Sequence, residues 1–187
     1  MKVVLFCGGA GMRLRGYADD IPKPMVQIDS RPILWHLMKY YAHFGHTDFI
    51  MCLGHKGNAI KDYFLHYDES VSNDFVWSQG GRTIHFLNRD IDDWTITFVE
   101  TGVHATIGER LKAVGSHLEG EELFLANYGD GLSDLPLPAM LDAFRNSKAL
   151  ASLLLVQPTA SFDIVNTTED GNVSGILLWQ FRTPIRD

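Results

Sequence analysis

The sequence predicts an α/β fold, with a Rossmann-like mixed, mostly parallel sheet that carries helices on both faces. Short apolar segments at Lys2–Cys7 and Asp48–Leu53 have the length of buried strands. Each precedes a segment whose apolar residues recur with a helical period, Ile33–Phe44 and Ala59–Tyr67. This strand–helix order is typical of crossovers between parallel strands. A glycine-rich segment directly after the first strand is the third observation, since parallel sheets bind ligands at that edge.

The rest of the chain continues the alternation after an irregular segment, Val71–Trp94, which mixes polar residues with the pair Gly80-Gly81. Its Gly80-Gly81-Arg82 is compatible with a contact to a nucleobase and equally with a plain hairpin turn. Gly115 is a weak point of the next helix. The patterns predict strands at 95–99, 122–128 and 149–156, helices at 107–118 and 137–145, and a hairpin over 165–179.

Size and charge narrow the classes of protein to which the chain can belong. A length of 187 residues suits one domain, and an apolar content of 45% is ordinary for a globular protein. The net charge of −7, with no basic tract, argues against nucleic acid as a partner. The sequence shows no apolar run of ~20 residues and no leader, so we expect no membrane partner and a cytoplasmic location. Cys7 and Cys52 lie in apolar runs, which predicts buried, reduced thiols.

The segment after the first strand suits a nucleoside triphosphate. Its glycines let backbone N–H groups approach phosphate oxygens. Arg13 can bind two phosphate oxygens through its planar fork, and Lys23, between Pro22 and Pro24, adds a point charge. The segment is not a Walker loop, because no Gly-Lys-Ser/Thr ends it. Leu14 stands where a dinucleotide fingerprint has its third glycine, which disfavours an NAD-dependent oxidoreductase.

Together, Gly8-Gly9-x-Gly11-x-Arg13-Leu14 and Pro22-Lys23-Pro24-Met25 resemble the opening motifs of the sugar-phosphate nucleotidyltransferases. The wider match is to the branch of glucose-1-phosphate cytidylyltransferases and covers nearly the whole chain, including Gly54-His55-Lys56-Gly57 and Tyr128-Gly129-Asp130-Gly131. It weakens after about Gly175. The resemblance implies a GT-A-like nucleotidyltransferase fold. It also implies a single domain over residues 1–187 that lacks the family's C-terminal part, and a homo-oligomer.

The resemblance implies that CTP and glucose 1-phosphate react to give CDP-glucose and pyrophosphate, with Mg²⁺ as cofactor. The attacking phosphate oxygen is already deprotonated at neutral pH, so the site needs alignment and charge neutralisation more than a general base. Arg13 and Lys23 are then the catalytic candidates, and Asp130 is the Mg²⁺ ligand. The resemblance assigns the nucleotide to Gly8, Gly9, Ala10, Gly11, Met12, Arg13, Lys23, Thr101 and Gly102, and the other substrate to Arg110 and Tyr128.

Several of these assignments have alternatives. Asp130-Gly131 is also a common turn pair, and Arg110 is compatible with a solvated helix surface. The absence of the family's sugar-binding segment and second metal-binding aspartate leaves open a nucleotide-binding module without turnover. The histidines, including His43 and His46, lack metal-ligand spacing and are interpreted as core or surface residues.

Overall fold

The computed structural model describes residues 1–9, 21–156 and 164–177, which divide into two compact units, Met1–Leu135 and Pro136–Asp187. The first unit contains the α-helices α1 (Ile33–His43), α2 (Gly57–Leu65) and α3 (Ile107–Ala113). Its strands are β1 (Val3–Phe6), β2 (Gln27–Ile28), β3 (Arg31–Pro32), β4 (Asp48–Leu53), β5 (Phe75–Ser78), β6 (Thr83–Phe86), β7 (Thr95–Glu100) and β8 (Leu125–Tyr128).

A parallel sheet with the strand order β7-β4-β1-β8 forms the centre of the first unit. In its register, Phe6 lies beside Cys52 on one side and beside Tyr128 on the other, and Leu53 lies beside Glu100. Every pair in this sheet is parallel, so the carboxyl ends of all four strands lie at one edge. The expected α/β fold with a parallel sheet is therefore confirmed, and its ligand-binding edge follows from the register.

The core explains why the strands read as continuous apolar runs. Val3–Leu5 and Phe49–Leu53 are almost completely buried, as in parallel strands that are covered on both faces. Helix α1 buries Leu34, Leu37, Met38 and Tyr41, the helical spacing that the sequence shows. Cys7 and Cys52 are buried free thiols, as predicted. Burial, as the largest influence, raises the pKa of Cys7 far above its ordinary value and that of Cys52 to about 11, so both stay protonated at neutral pH.

The irregular middle segment forms a hairpin of β5 and β6, antiparallel to each other. Gly80 and Gly81 turn between them with φ values of 65° and 87°, a conformation that favours glycine. The structure therefore supports the hairpin-turn interpretation of Gly80-Gly81-Arg82. Helix α3 is shorter than predicted, because a separate 3₁₀ turn, Gly115–Leu118, starts at the predicted weak point. Strand β8 begins at Leu125, three residues later than expected.

The second unit contains helix α4 (Leu137–Arg145) and the antiparallel strands β9 (Ile164–Thr167) and β10 (Val173–Leu177). Helix α4 has the predicted bounds, and the predicted hairpin turns at Gly171, whose φ is 78°. The predicted strand at 149–156 is wrong: this segment is irregular and exposes Leu150, Leu153 and Val156. A strand needs a neighbour that accepts its hydrogen bonds, and none of the described segments pairs with 149–156.

No helix within the described ranges is long and apolar enough to cross a bilayer. The cytoplasmic location, the homo-oligomer and the single domain over residues 1–187 stay predictions.

Candidate functional site

The turns that follow the four parallel strands lie side by side at the carboxyl edge of the sheet. Main-chain hydrogen bonds fix their relative positions. The N–H of Cys7 donates to Cys52 O, that of Thr101 to Leu53 O, and that of Gly129 to Phe6 O, each over 3.0 Å. The edge therefore brings together Gly8 and Gly9 after β1, Gly54 after β4, Thr101 and Gly102 after β7, and Gly129 and Asp130 after β8.

Glycine allows these turns to approach one another closely. A β-carbon at Gly54 would lie 2.8 Å from Gly8 O and 2.9 Å from Gly102 O, both main-chain atoms. One at Gly129 would lie 2.6 Å from the Sγ atom of Cys7 and 3.1 Å from Pro24. Such separations are shorter than van der Waals contact. Glycine at these two positions is thus required by packing between turns, independently of any ligand.

The predicted catalytic lysine belongs to a short 3₁₀ helix, Lys23–Met25, beside the same edge. The N–H of Met25 donates to Pro22 O over 2.8 Å, and both prolines that flank the lysine are buried. The closeness of Pro24 to Gly129 brings this turn next to the turn that carries Asp130. Lys23 itself is half-buried. The two prolines thus fix the backbone on either side of the lysine.

Arg110 lies under this edge, with only 3% of its surface exposed. Its position depends on a capping box at the start of α3, in which Thr106 Oγ1 accepts from the N–H of Glu109 and the Glu109 carboxylate accepts from the N–H of Thr106. The Nη1 atom donates to Leu53 O over 3.1 Å and to Thr101 Oγ1 over 2.6 Å. The guanidinium group is therefore bonded to the ends of both β4 and β7.

The other terminal nitrogen, Nη2, donates to Gly8 O over 3.0 Å and to Val103 O over 3.4 Å. The Thr101 hydroxyl accepts from Arg110 and donates to Leu53 O over 2.7 Å, so it links the arginine to the end of β4 a second time. The predicted contact of Arg110 with substrate stays a prediction. Each of its terminal nitrogens donates to two acceptors of the protein.

Asp130 and Tyr128, from the last turn of the edge, are both exposed. After burial and the neighbouring Cys52, the carboxylate of Asp130 further raises the pKa of the Cys7 thiol, so its charge acts near the end of β1. Among the described residues, no group of three or more His, Cys, Asp and Glu side chains could hold a metal ion. One exposed carboxylate fits Mg²⁺, which usually keeps several waters and is held by one or two carboxylates together with substrate phosphates.

The structure brings most of the predicted site residues to one edge. Those at the edge are Gly8, Gly9, Lys23, Thr101, Gly102, Tyr128 and Asp130. Ala10, Gly11, Met12 and Arg13 lie outside the described residues. Sequence reasoning missed the part that Gly54 and the carbonyl of Leu53 play. The signal for Gly54 was present, because it directly follows a predicted strand.

A second polar cluster, which sequence reasoning also missed, surrounds Arg31 and Asp90. Arg31 is 3% exposed, and its guanidinium group donates to Ser72 Oγ over 2.6 Å and to Asp68 O over 2.7 Å. The carboxylate of Asp90 accepts from Ser72 Oγ over 2.5 Å and from Lys39 Nζ over 3.1 Å. Arg31 and Ser72 also line an open cavity of about 690 Å³. None of the predicted site residues that the structure describes lines this cavity.

Two curated proteins with related names are similar to this chain in sequence. It is 39% identical over 162 residues to a glucose-1-phosphate cytidylyltransferase of Salmonella typhimurium, which covers 87% of this chain and 63% of that protein. It is 37% identical over 171 residues to a probable glucose-1-phosphate cytidylyltransferase of Bacillus subtilis, covering 91% and 66%. The chain thus spans slightly less than two thirds of the length of these curated relatives. No protein-family model matches it.

Solved structures support the fold. The crystal structure of HddC from Yersinia pseudotuberculosis has a TM-score of 0.70 and 22% sequence identity, and the match covers 95% of this chain and 68% of that chain. The structure of the same protein complexed with GMP-PN has a TM-score of 0.69. At this identity, the likeness shows a shared fold.

Proposed function

Because the chain belongs to the sugar-phosphate nucleotidyltransferase family, we propose that it joins CTP to glucose 1-phosphate and gives CDP-glucose and pyrophosphate. The observation that carries the proposal is the convergence at one edge of Gly8 and Gly9, of Thr101 and Gly102, and of Asp130, beside the turn of Lys23. In a parallel sheet this edge is the ordinary place for a nucleotide.

The proposed reaction forms a bond between a phosphate oxygen of the sugar and the α-phosphorus of the nucleotide. The bond from the α-phosphorus to the bridging oxygen of the β-phosphate breaks, and pyrophosphate leaves with the electron pair. No proton has to be removed from the attacking oxygen. The protein's task is to align two anions and to offset their charge, which matters in a chain with a net charge of −7.

The roles within the site follow from this charge problem. Arg13 is proposed to bind the β- and γ-phosphates with its planar fork, and Lys23 to touch the α-phosphate or the incoming sugar phosphate. The backbone at Gly8 and Gly9 is proposed to approach the triphosphate, and Tyr128 to contact the substrate. Asp130 would hold Mg²⁺ together with the phosphates. When bound, the ion neutralises phosphate charge and orients the leaving group.

The preference for cytosine and for glucose is supported by the names of the Salmonella and Bacillus relatives. HddC has been crystallised with GMP-PN, which is a finding about that protein. The test therefore includes GTP as an alternative substrate. We therefore propose CTP as the substrate and measure it against the other nucleotides.

The test is pyrophosphate release by this chain with Mg²⁺ and glucose 1-phosphate, offering CTP, UTP, dTTP, GTP and ATP separately. Arg13→Met removes the proposed phosphate ligand, and Lys112→Met removes an exposed cation from α3 as the matched control. Release with CTP that Arg13→Met abolishes and Lys112→Met preserves supports the proposal. Release with another nucleotide alone refutes the CTP assignment. A folded protein that binds CTP without turnover instead supports the nucleotide-binding module, and one that binds no nucleotide overturns both.

A further inference from the structure

We propose that Arg110 is a positioning residue that holds the ends of three parallel strands, and with them the nucleotide-binding turns, in their working arrangement. Its terminal nitrogens bind Gly8 O after β1, Leu53 O at the end of β4 and Thr101 Oγ1 after β7. One planar group therefore connects three separate turns. The inference deepens the proposed function, because the turns that it positions are those assigned to the nucleotide.

The ends of strands need such a connection more than their middles do. Along a parallel sheet, carbonyl groups are paired by the neighbouring strand, but this pairing stops where the strands diverge into turns. A buried carbonyl without a donor is costly. Arg110 donates to Gly8 O and Val103 O and adds a further donor to Leu53 O, which also accepts from the N–H of Thr101. In return, these carbonyl dipoles and the Thr101 hydroxyl compensate the burial of the arginine's charge. Arg110 thus holds the strand ends in place, and the polar groups of the strand ends offset the cost of burying its charge.

Gly8 is matched to this arginine. A β-carbon at residue 8 would overlap the guanidinium group, with the Nη2 atom 2.6 Å away. The first glycine of the glycine-rich segment is therefore needed to admit Arg110, whatever its part in phosphate binding. At the start of the glycine-rich segment, the main chain contacts the guanidinium group, whose Nη2 atom donates a hydrogen bond to Gly8 O.

A direct contact between Arg110 and substrate fits the geometry less well. A guanidinium group has four terminal N–H bonds, and here each has a protein acceptor: Leu53 O, Thr101 Oγ1, Gly8 O and Val103 O. The residue is also 3% exposed. A phosphate that bound the terminal nitrogens would have to break these hydrogen bonds. The structure thus favours a residue that acts through the turns.

Amide hydrogen exchange in the ligand-free protein separates the two roles. The reporters are the N–H groups of Cys7 and Thr101, which donate to the neighbouring strand at the edge, and the amides of central β4 serve as the internal reference. We expect Arg110→Met to speed exchange of both reporters by about tenfold, the effect of losing one hydrogen bond, and to leave central β4 unchanged. Lys112→Met, on the same helix and exposed, should leave all of them unchanged.

A second pair of variants keeps the test decisive if Arg110→Met fails to fold. Thr101→Val removes the hydroxyl that accepts from Arg110 and donates to Leu53 O, whereas Thr101→Ser keeps both hydrogen bonds. We expect faster exchange of the Cys7 and Thr101 amides in the valine variant and wild-type exchange in the serine variant. Binding of CTP, measured by calorimetry, should weaken in Arg110→Met and Thr101→Val together with this loss of protection.

Unchanged exchange in ligand-free, folded Arg110→Met with loss of CTP binding would show that Arg110 contacts the nucleotide directly, and would overturn the inference. Unchanged exchange in Thr101→Val would overturn it as well. If the wild-type protein binds no nucleotide, the proposed function fails, yet the exchange comparison still decides whether Arg110 positions the edge.

Discussion

The guanidinium group of Arg110 occupies the space that a side chain at Gly8 would need. Its Nη2 atom donates to Gly8 O over 3.0 Å and would lie 2.6 Å from a β-carbon at that residue. The two residues are 102 positions apart in the chain, yet each determines what the other can be. Gly8, which the sequence predicts to be part of a phosphate-binding loop, therefore also has a packing role.

Gly8→Ala should therefore destabilise the protein. The new methyl group would displace the guanidinium from its acceptors, which costs about 1–3 kcal/mol of unfolding free energy. Gly9→Ala is the matched control, because a β-carbon there meets no atom of the described residues within 4 Å and the change should stay within about 0.5 kcal/mol. Urea unfolding of both variants measures the difference. Equal stability of the two variants would contradict the pairing of Gly8 with Arg110.

Gly54→Ala should destabilise the fold at least as much as Gly8→Ala does. The added β-carbon would meet Gly8 O at 2.8 Å and Gly102 O at 2.9 Å, and main-chain atoms cannot move aside as a flexible side chain can. We expect a loss of about 2–3 kcal/mol, together with weaker nucleotide binding, because the turns after β1 and β7 are pushed apart. Gly108→Ala, on α3, should be neutral or stabilising by up to about 1 kcal/mol, because a β-carbon there meets no atom of the described part of the chain within 4 Å. Thermal unfolding and CTP titration of both variants test this expectation.

Asp90→Asn should reduce the loss of folding stability that the protein shows as the pH falls. Burial raises the pKa of Asp90, but hydrogen bonds from Ser72, Lys39 and Asn73 outweigh it, and the net pKa lies below its ordinary value. A carboxyl group of this kind stabilises the fold above its unfolded pKa of about 4, and loses that contribution as the pH falls through the folded pKa.

The stability difference between wild type and Asp90→Asn should thus be largest near neutral pH and shrink below about pH 4. Urea unfolding over this pH range measures it. Asp92→Asn, whose carboxylate is 62% exposed and pairs with Arg89, is the control and should change stability little at any pH. A difference that stays constant as the pH falls would show that the charge of Asp90 does not stabilise the cluster.

Asp130→Asn should weaken the binding of Mg²⁺ without harming the fold. The side chain is exposed, so its replacement leaves the core intact. If this carboxylate holds the ion, we expect the Mg²⁺ concentration for half-maximal pyrophosphate release to rise by about tenfold or more, with an unchanged Tm. Asp134→Asn, also exposed and four residues further along the chain, is the control. The same Mg²⁺ requirement in both variants would remove Asp130 from the metal site.

Much of the fold could be predicted because it depends on local patterns. The bounds of Asp48–Leu53 and Leu137–Arg145 agree with the structure to the residue. The strand predicted at 149–156 failed because an apolar run defines what a segment prefers to bury, whereas a strand also needs a neighbour in register. Strand β8 is shorter than predicted for the same reason, since its pairing with β1 spans only Leu125–Tyr128.

The candidate site was partly predictable too. The sequence showed which segments follow strands, and parallel pairing then brought the turns of Gly8, Thr101 and Asp130 to one edge. It did not show the cluster of Arg31 with Asp90, because the link between them is the hydroxyl of Ser72, on a segment with no regular pattern.

The sequence by itself determined the alternation of strands and helices and the glycine turns after the strands, because hydrophobic periodicity and backbone freedom act over a few neighbouring residues. Only the tertiary structure decided what Arg110 does. Its partners are mainly main-chain carbonyls on three separate turns, and every residue carries such a carbonyl, so no pattern of side chains marks them in advance. The assignment of Arg110 follows from where the strands end in space, which is a property of the packed sheet.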